Sequence, residues 1–172
     1  MAIVAYITSG KIGIPRFTYN ELSELEKQGV NFYLCLTQLN KGPWMPKEEW
    51  YTFKADLFKS FIVFVFILLF RPIKLLQLLI FSIRVSMLPY FLISLSFYFD
   101  LRKKGITSLH CQMGDKKIYI GYFLKCIMGI PLTATIHAHE LYQREVYDHN
   151  EYIRWLYAHC DHIITISEFN AD

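Results

Sequence analysis

The chain has 172 residues, with 18 Lys and Arg against 15 Asp and Glu and a formal net charge of +3. This length is enough for one domain with a core of its own. Because 53% of the residues are hydrophobic and only 19% are charged, the composition excludes an intrinsically disordered chain. The cationic surplus is small and scattered along the chain, so it does not favour a nucleic-acid partner.

The four cysteines are far apart and form no CxxC pair; they are Cys35, Cys111, Cys126 and Cys160. Their spacing indicates neither a zinc site nor a disulfide framework, so we expect reduced thiols in a cytosolic protein. Residues 1–10 lack the basic start and the long apolar stretch of a signal peptide. We expect them to form a first strand instead.

The first forty residues predict the opening of a βαβ unit. Residues 2–8 form a short apolar run before Ser9-Gly10, which is typical of a buried strand followed by a turn. Residues 17–28 have the apolar periodicity of an amphipathic helix, which Gly29 would end. Residues 30–37 predict a second strand.

The second half of the chain repeats this alternation. It predicts strands at 107–111, 131–136 and 162–166, with helices at 116–128 and 151–159. Short apolar strands that alternate with helices require a parallel sheet covered on both faces. The predicted fold class is therefore α/β, a Rossmann-like doubly wound parallel sheet with helices on both faces.

A hydrophobic helical insertion is predicted at about residues 55–100, where residues 60–99 contain no acidic residue. Its longest apolar run, residues 61–70, has about half the length that a bilayer-spanning helix needs. Three interpretations stay open: one or two long helices packed on the sheet, a face held in a membrane interface, and a transmembrane hairpin. The cations that would flank a membrane face are Lys54, Lys59, Arg71, Lys74 and Arg102–Lys104.

The loop after the first strand is a candidate ligand site, since ligands in doubly wound sheets bind outside the carboxyl ends of the strands. Its candidate substrate-binding residues are Gly10, Gly13, Ile14 and Pro15. The loop has neither the GxGxxG pattern nor the GxxxxGK[ST] pattern, so dinucleotide binding is poorly supported. The alternative is that its two glycines only make a turn.

The fourth predicted strand ends in a second candidate, His137 followed by His139 and Glu140. Two histidines and a carboxylate at the same sheet edge favour contact with a ligand. No third metal ligand is visible from the spacing, so neutral imidazoles that bind a sugar hydroxyl or a phosphate suit this site better than a metal. Ser167 and Glu168 follow the last strand, where Ser167 could cap a helix facing the same cleft.

Three stretches, residues 14–30, 109–142 and 160–170, together resemble the N-terminal domain of a GT-B fold glycosyltransferase of the GT4 family. The closest type is the one that builds colanic acid and other polysaccharides. Order and spacing agree along the chain outside roughly residues 40–100. The resemblance implies that residues 1–172 are the acceptor-binding half of such an enzyme, inactive alone. A second domain, absent from this chain, would hold the nucleotide-sugar through a Glu-x7-Glu element.

The resemblance also implies roles for particular residues in a retaining, metal-independent sugar transfer. His137 matches the catalytic histidine that reaches the donor sugar or phosphate, and the loop Gly10–Pro15 would border the acceptor and the donor phosphates. Glu140 stands where the family has Asp. The double glycine of many relatives is absent after the first strand. No cofactor is implied for this chain beyond the nucleotide-sugar donor in the second domain.

The expected partners are a nucleotide-sugar, a glycan or lipid-linked acceptor, and the protein's own C-terminal domain. We expect a cytoplasmic location, with peripheral contact at the inner face of the cell membrane, and pairing of two copies through apolar surface. The alternative function is a non-catalytic Rossmann-like module that binds a partner or a membrane through its apolar helices. A receiver domain is disfavoured because Ile7, Thr8 and Ser9 supply no acid at the end of the first strand.

Overall fold

The computed structural model describes residues 2–137 and 152–165. In chain order, its elements are β1 (Ile3–Gly10), α1 (Arg16–Lys27), β2 (Asn31–Leu39), β3 (Thr52–Lys54), α2 (Leu57–Phe70), α3 (Pro72–Arg84), α4 (Leu88–Lys103), β4 (Ser108–Cys111), α5 (Ile118–Met128), β5 (Leu132–Ile136), α6 (Tyr152–Tyr157) and β6 (His162–Thr165). The strands form one six-stranded sheet in the order β3-β2-β1-β4-β5-β6, and all neighbours are parallel. The predicted Rossmann-like α/β class is confirmed.

The centre of the sheet lies between β1 and β4. Strand β1 pairs with β2 on one side, where Ile7 is opposite Cys35, and with β4 on the other, where Ile7 is opposite Cys111. The order of the strands reverses between β1 and β4. At such a switch point the loops leaving the two strands diverge, and the crevice between them is the usual place for a ligand in this class of sheet.

Helix α1 covers one face of the sheet. It begins after Pro15, whose ring fixes a φ compatible with the start of a helix, and its Leu22 packs with Tyr6 and Leu34 in a buried cluster. Gly29, at φ 72°, reverses the chain into β2. This helix and its terminating glycine agree with the prediction.

The opposite face of the sheet is covered by α4 and α5, which carry the larger part of the core. Phe91 and Leu95 of α4 are buried with Phe123 and Leu124 of α5. A Cβ atom on Gly121 would lie 2.6 Å from the Cys111 sulfur, so this glycine lets α5 lie close on the sheet. All four cysteines are free thiols.

The insertion differs from the prediction of one or two long helices, because it forms three, α2, α3 and α4. Arg71-Pro72 separates α2 from α3. Because proline has no N–H to donate within a helix, α2 ends before Pro72 and α3 begins at it. The next break falls at Ser86, whose φ is 57°. Pro89 therefore lies in the first turn of α4, where its missing N–H costs no hydrogen bond. Each helix described in residues 2–137 and 152–165 is too short or too polar to cross a bilayer.

Candidate functional site

The loop after β1 is tied to the loop after β2 by backbone hydrogen bonds. The N–H of Gly13 donates to the Asn40 carbonyl at 3.1 Å, and the N–H of Ile14 donates to the Trp44 carbonyl at 2.8 Å. In return, the N–H of Asn40 donates to the Gly10 carbonyl at 2.8 Å. The amides of Gly13 and Ile14 are therefore engaged within the protein.

Two glycines make this close approach of the loops possible. Gly13 has a φ of 69°, and a Cβ atom there would lie 2.5 Å from the Trp44 carbonyl oxygen. A Cβ atom on Gly42 would lie 2.1 Å from the carbonyl carbon of Ile12. Among the predicted loop residues, Ile14 is only 1% exposed and belongs to the core under α1. The loop instead presents the side chain of Ile12, which is 74% exposed.

His137 follows β5 directly and meets the first turn of α1. Its ring centroid lies 4.9 Å from that of Phe17, and the two planes are tilted by 54°. His137 is half-buried and Phe17 is 44% exposed. The structure thus brings together the end of β5 and the residues that follow the Gly10–Pro15 loop, at the same edge of the sheet.

A cluster of polar side chains, four of them buried, lies on the α1 face of the sheet along β1, β4 and β5. The Nδ1 atom of His110 is 2.8 Å from the Thr133 hydroxyl. Its Nε2 atom is 3.2 Å from Gln112 Oε1 and 3.3 Å from the Thr135 hydroxyl. The Tyr6 hydroxyl donates to the same Gln112 oxygen, and its ring lies 4.7 Å from that of His110. We call these five side chains the polar cluster.

The polar cluster is uncharged at neutral pH. Burial lowers the pKa of His110, although the hydrogen bond to Gln112 and the charge of Glu21 act in the opposite direction. Burial raises the pKa of Tyr6, and the nearby Glu21 carboxylate raises it further. Glu21 lies one turn after Phe17 on α1 and is half-buried. The site therefore combines neutral hydrogen-bonding groups with one carboxylate at its border.

The sequence analysis did not identify the polar cluster. The signal was available. His110 and Gln112 are two residues apart, as are Thr133 and Thr135, so each pair shares one face of its strand. Polar residues at alternate positions of adjacent strands, in a sheet buried on both faces, indicate such a cluster.

The loop after β4 adds an ion pair at the same edge. The ammonium group of Lys117, a buried residue, donates to the Asp115 carboxylate, and the Lys117 N–H donates to the other oxygen of that carboxylate at 2.9 Å. The Tyr157 hydroxyl holds the loop by donating to the Gly114 carbonyl at 2.6 Å. These contacts fix the start of α5 beside the switch point.

Four predicted site residues, His139, Glu140, Ser167 and Glu168, lie outside the described residues. In the part of the chain that the structure describes, no group of three or more His, Cys, Asp or Glu side chains is arranged to hold a metal ion. No protein-family model matches the chain, and no curated protein matches it either. The class that the structure defines is a Rossmann-like α/β domain with a six-stranded parallel sheet. The resemblance to GT4 glycosyltransferases stays a prediction.

Proposed function

We propose that the chain is the acceptor-binding N-terminal domain of a retaining glycosyltransferase. The whole enzyme would move a sugar from a nucleotide-sugar to a glycan or lipid-linked acceptor at the cytoplasmic face of a membrane. The observation that carries the proposal is the contact between Phe17 and His137, whose ring centroids lie 4.9 Å apart at the carboxyl edge of the sheet. This edge is where doubly wound sheets bind their ligands.

The groups at this edge suit a carbohydrate. A sugar presents hydroxyls that donate and accept hydrogen bonds, and an apolar ring face that packs on aromatic side chains. Phe17 offers a partly exposed aromatic ring, and His137 beside it offers an imidazole. The half-buried Glu21 carboxylate accepts hydrogen bonds from hydroxyls. The neutral polar cluster beneath places no competing charge in the site.

His137 takes the catalytic part in this proposal. Its imidazole would donate a hydrogen bond to the oxygens of the donor sugar or the leaving diphosphate, where negative charge develops. The loop of Gly10, Gly13, Ile14 and Pro15 would border the acceptor through its shape and the exposed Ile12, since two of its amides are engaged with the loop after β2. His139, Glu140, Ser167 and Glu168 belong to the same proposed site on the sequence pattern alone.

The test measures sugar transfer by the protein. The donors are a panel of radiolabelled nucleotide-sugars, and the acceptors are taken from a membrane lipid extract. His137→Ala is expected to lower turnover by roughly ten- to a thousandfold, as for the loss of one positioned polar group. His162→Ala is the matched control, because His162 is exposed at the amino end of β6, the opposite edge of the sheet. Unchanged transfer by His137→Ala would remove His137 from the mechanism.

The second candidate is a non-catalytic module that acts through its apolar helices. The large apolar surface of α2 and α3 favours it. This candidate would be supported over the transferase if the protein bound a partner or a membrane through these helices but bound neither nucleotide-sugars nor glycans.

A further inference from the structure

Helices α2 and α3 are apolar on two sides. Their inner sides are buried on the domain, through Val63 and Ile67 in α2 and through Leu75 and Leu78 in α3. Their outer sides carry twelve apolar side chains that are each 38–74% exposed: Leu57, Phe58, Phe61, Ile62, Val65, Leu68, Leu69, Phe70, Ile73, Leu76, Ile80 and Ile83. We call these twelve the outer face. A helix that is apolar all round is normally covered on every side.

The outer face is larger than the apolar patches of ordinary monomers. At roughly 100 Å² for each side chain it measures on the order of 1,000 Å², against about 300–600 Å² for the largest patch of a typical monomer. The two helices that carry it pack on each other and are joined at Arg71 alone. An exposed apolar surface of this size indicates a site that contacts another protein surface or a membrane.

Cations outnumber acidic residues around the outer face, where Asp56 caps the start of α2. Between Asp56 and Asp100 there is no acidic residue, and the four cations of this stretch are Lys59, Arg71, Lys74 and Arg84. Lys59 is paired with Asp100 at 2.7 Å. Helices with one wide apolar side and flanking cations lie in the interface of anionic membranes, where each cation adds to the attraction.

Two neighbouring cavities lie between Arg71 and the carboxyl ends of α4 and α5. They measure about 270 and 320 Å³ and share Arg71, Tyr98, Arg102 and Ile127 in their walls, with no acidic side chain among their described lining residues. Arg71 Nη1 donates to the Ile127 carbonyl at 3.2 Å, and Arg102 Nη1 donates to the Tyr98 hydroxyl at 2.6 Å. Each guanidinium is thus oriented by one of its five N–H groups, and guanidinium groups match the geometry of phosphate oxygens.

We propose that the outer face docks on an anionic lipid bilayer, with the cavity between Arg71 and Arg102 receiving the phosphate of a lipid headgroup. The larger cavity is also lined by Phe66 and Phe70, which supply an apolar wall for the upper part of an acyl chain. The helices would lie along the membrane surface rather than cross it. This proposal does not depend on sugar transfer.

The first experiment is co-sedimentation of the 172-residue chain with phosphatidylcholine vesicles, with and without added phosphatidylglycerol. The chain is expected to sediment with the anionic vesicles and only weakly with the neutral ones. Equal recovery in the supernatant with both vesicle types would overturn the proposal. Light scattering would detect a dimer of the chain. If that dimer persisted in the presence of anionic vesicles and the chain did not sediment with them, the outer face would be assigned to a second copy of the chain, and the proposal would be overturned as well.

The second experiment compares two isoleucine variants. Ile80 is 57% exposed on the outer face and Ile164 is 50% exposed on β6. Ile164 is opposite Thr135, a member of the polar cluster, and so lies on the α1 side of the sheet. Ile80→Gln is expected to weaken vesicle binding by about tenfold, since it loses burial of one large apolar side chain. Ile164→Gln is expected to bind as the wild type does, and an equal loss would contradict the assignment of the face.

The third experiment tests the cavity. Arg71→Gln with Arg102→Gln removes two cations, each worth about fivefold in affinity for anionic vesicles, so the double variant is expected to bind about 25-fold more weakly. The control is Arg16→Gln with Lys27→Gln, the same change in charge on α1, whose binding is expected to stay within about twofold of the wild type. Equal losses in both pairs would show general charge attraction and overturn the headgroup site.

Discussion

The buried position of His110 predicts a loss of stability in mild acid. In the unfolded chain its imidazole titrates near the ordinary pKa of 6.5, whereas burial between Thr133, Thr135 and Gln112 lowers the pKa in the folded state. Above the unfolded pKa both states hold a neutral ring. As the pH falls below 6.5, the unfolded state binds a proton more readily than the folded state does, so the free energy of unfolding decreases.

The magnitude follows from the width of that window. One pH unit below the unfolded pKa, the loss has an upper limit of about 1.4 kcal/mol, which is reached only if the group stays fully neutral in the folded state. The loss levels off once the pH reaches the folded pKa. Glu21 raises the pKa of His110 and therefore limits the loss. Glu21→Gln is expected to deepen it.

The assay is urea unfolding at about pH 7.5 and about pH 5.5 for the wild type and for His110→Gln. The wild type is expected to lose more stability than the variant between these conditions, by at most about 1.4 kcal/mol, because the variant has no imidazole to titrate there. An identical pH-dependent loss in the wild type and in His110→Gln would refute the argument, and Glu21→Gln provides the same test if the first variant does not fold.

Two further substitutions test the loops and the far edge of the sheet. Gly42→Ala would place a methyl group 2.1 Å from the backbone of Ile12, so the loops must separate, and urea unfolding should show a loss of about 2–3 kcal/mol. An unchanged midpoint would contradict this packing. Asp161 accepts from the Lys125 ammonium and the Leu132 N–H, and these bonds hold its pKa below the ordinary 3.8. The stabilisation is present above pH 3.8 and is lost as the pH falls below it. Asp161→Asn should therefore show a shallower acid transition by circular dichroism, and a transition as steep as that of the wild type would contradict it.

Much of the sheet was predictable because its strands are short apolar runs separated by helices with a clear period. The ends of the elements were less so. Strand β1 continues to Gly10, two residues past its apolar run, because backbone pairing with β2 resumes after an irregularity between Thr8 and Gly10. Strand β3 was not predicted, because Thr52–Lys54 has only three residues at the edge of the sheet and no clear alternation of apolar residues. Length and pairing partner, not composition, decide such elements.

The position of the first loop and of His137 at one edge of the sheet was predictable from topology, because parallel strands end at one edge. The engagement of the Gly13 and Ile14 amides was not, since their partners Asn40 and Trp44 lie in a loop that has no periodic pattern. Likewise, the apolar run of residues 61–70 indicated surplus hydrophobic surface, but only the packing of α2 on α4 separates its buried side from its exposed side. Where a side chain points depends on contacts that are distant in sequence.

The most direct test of the central claim is a nuclear magnetic resonance titration of the isotope-labelled chain with oligosaccharides and lipid-linked glycan analogues. Binding is expected to shift the side-chain signals of Phe17 and His137 together, while the signals of His162 stay in place. Phe17→Ala is also expected to weaken the binding. Shifts confined to the amino edge of the sheet, with Phe17 and His137 unchanged at saturation, would contradict an acceptor site at the end of β5.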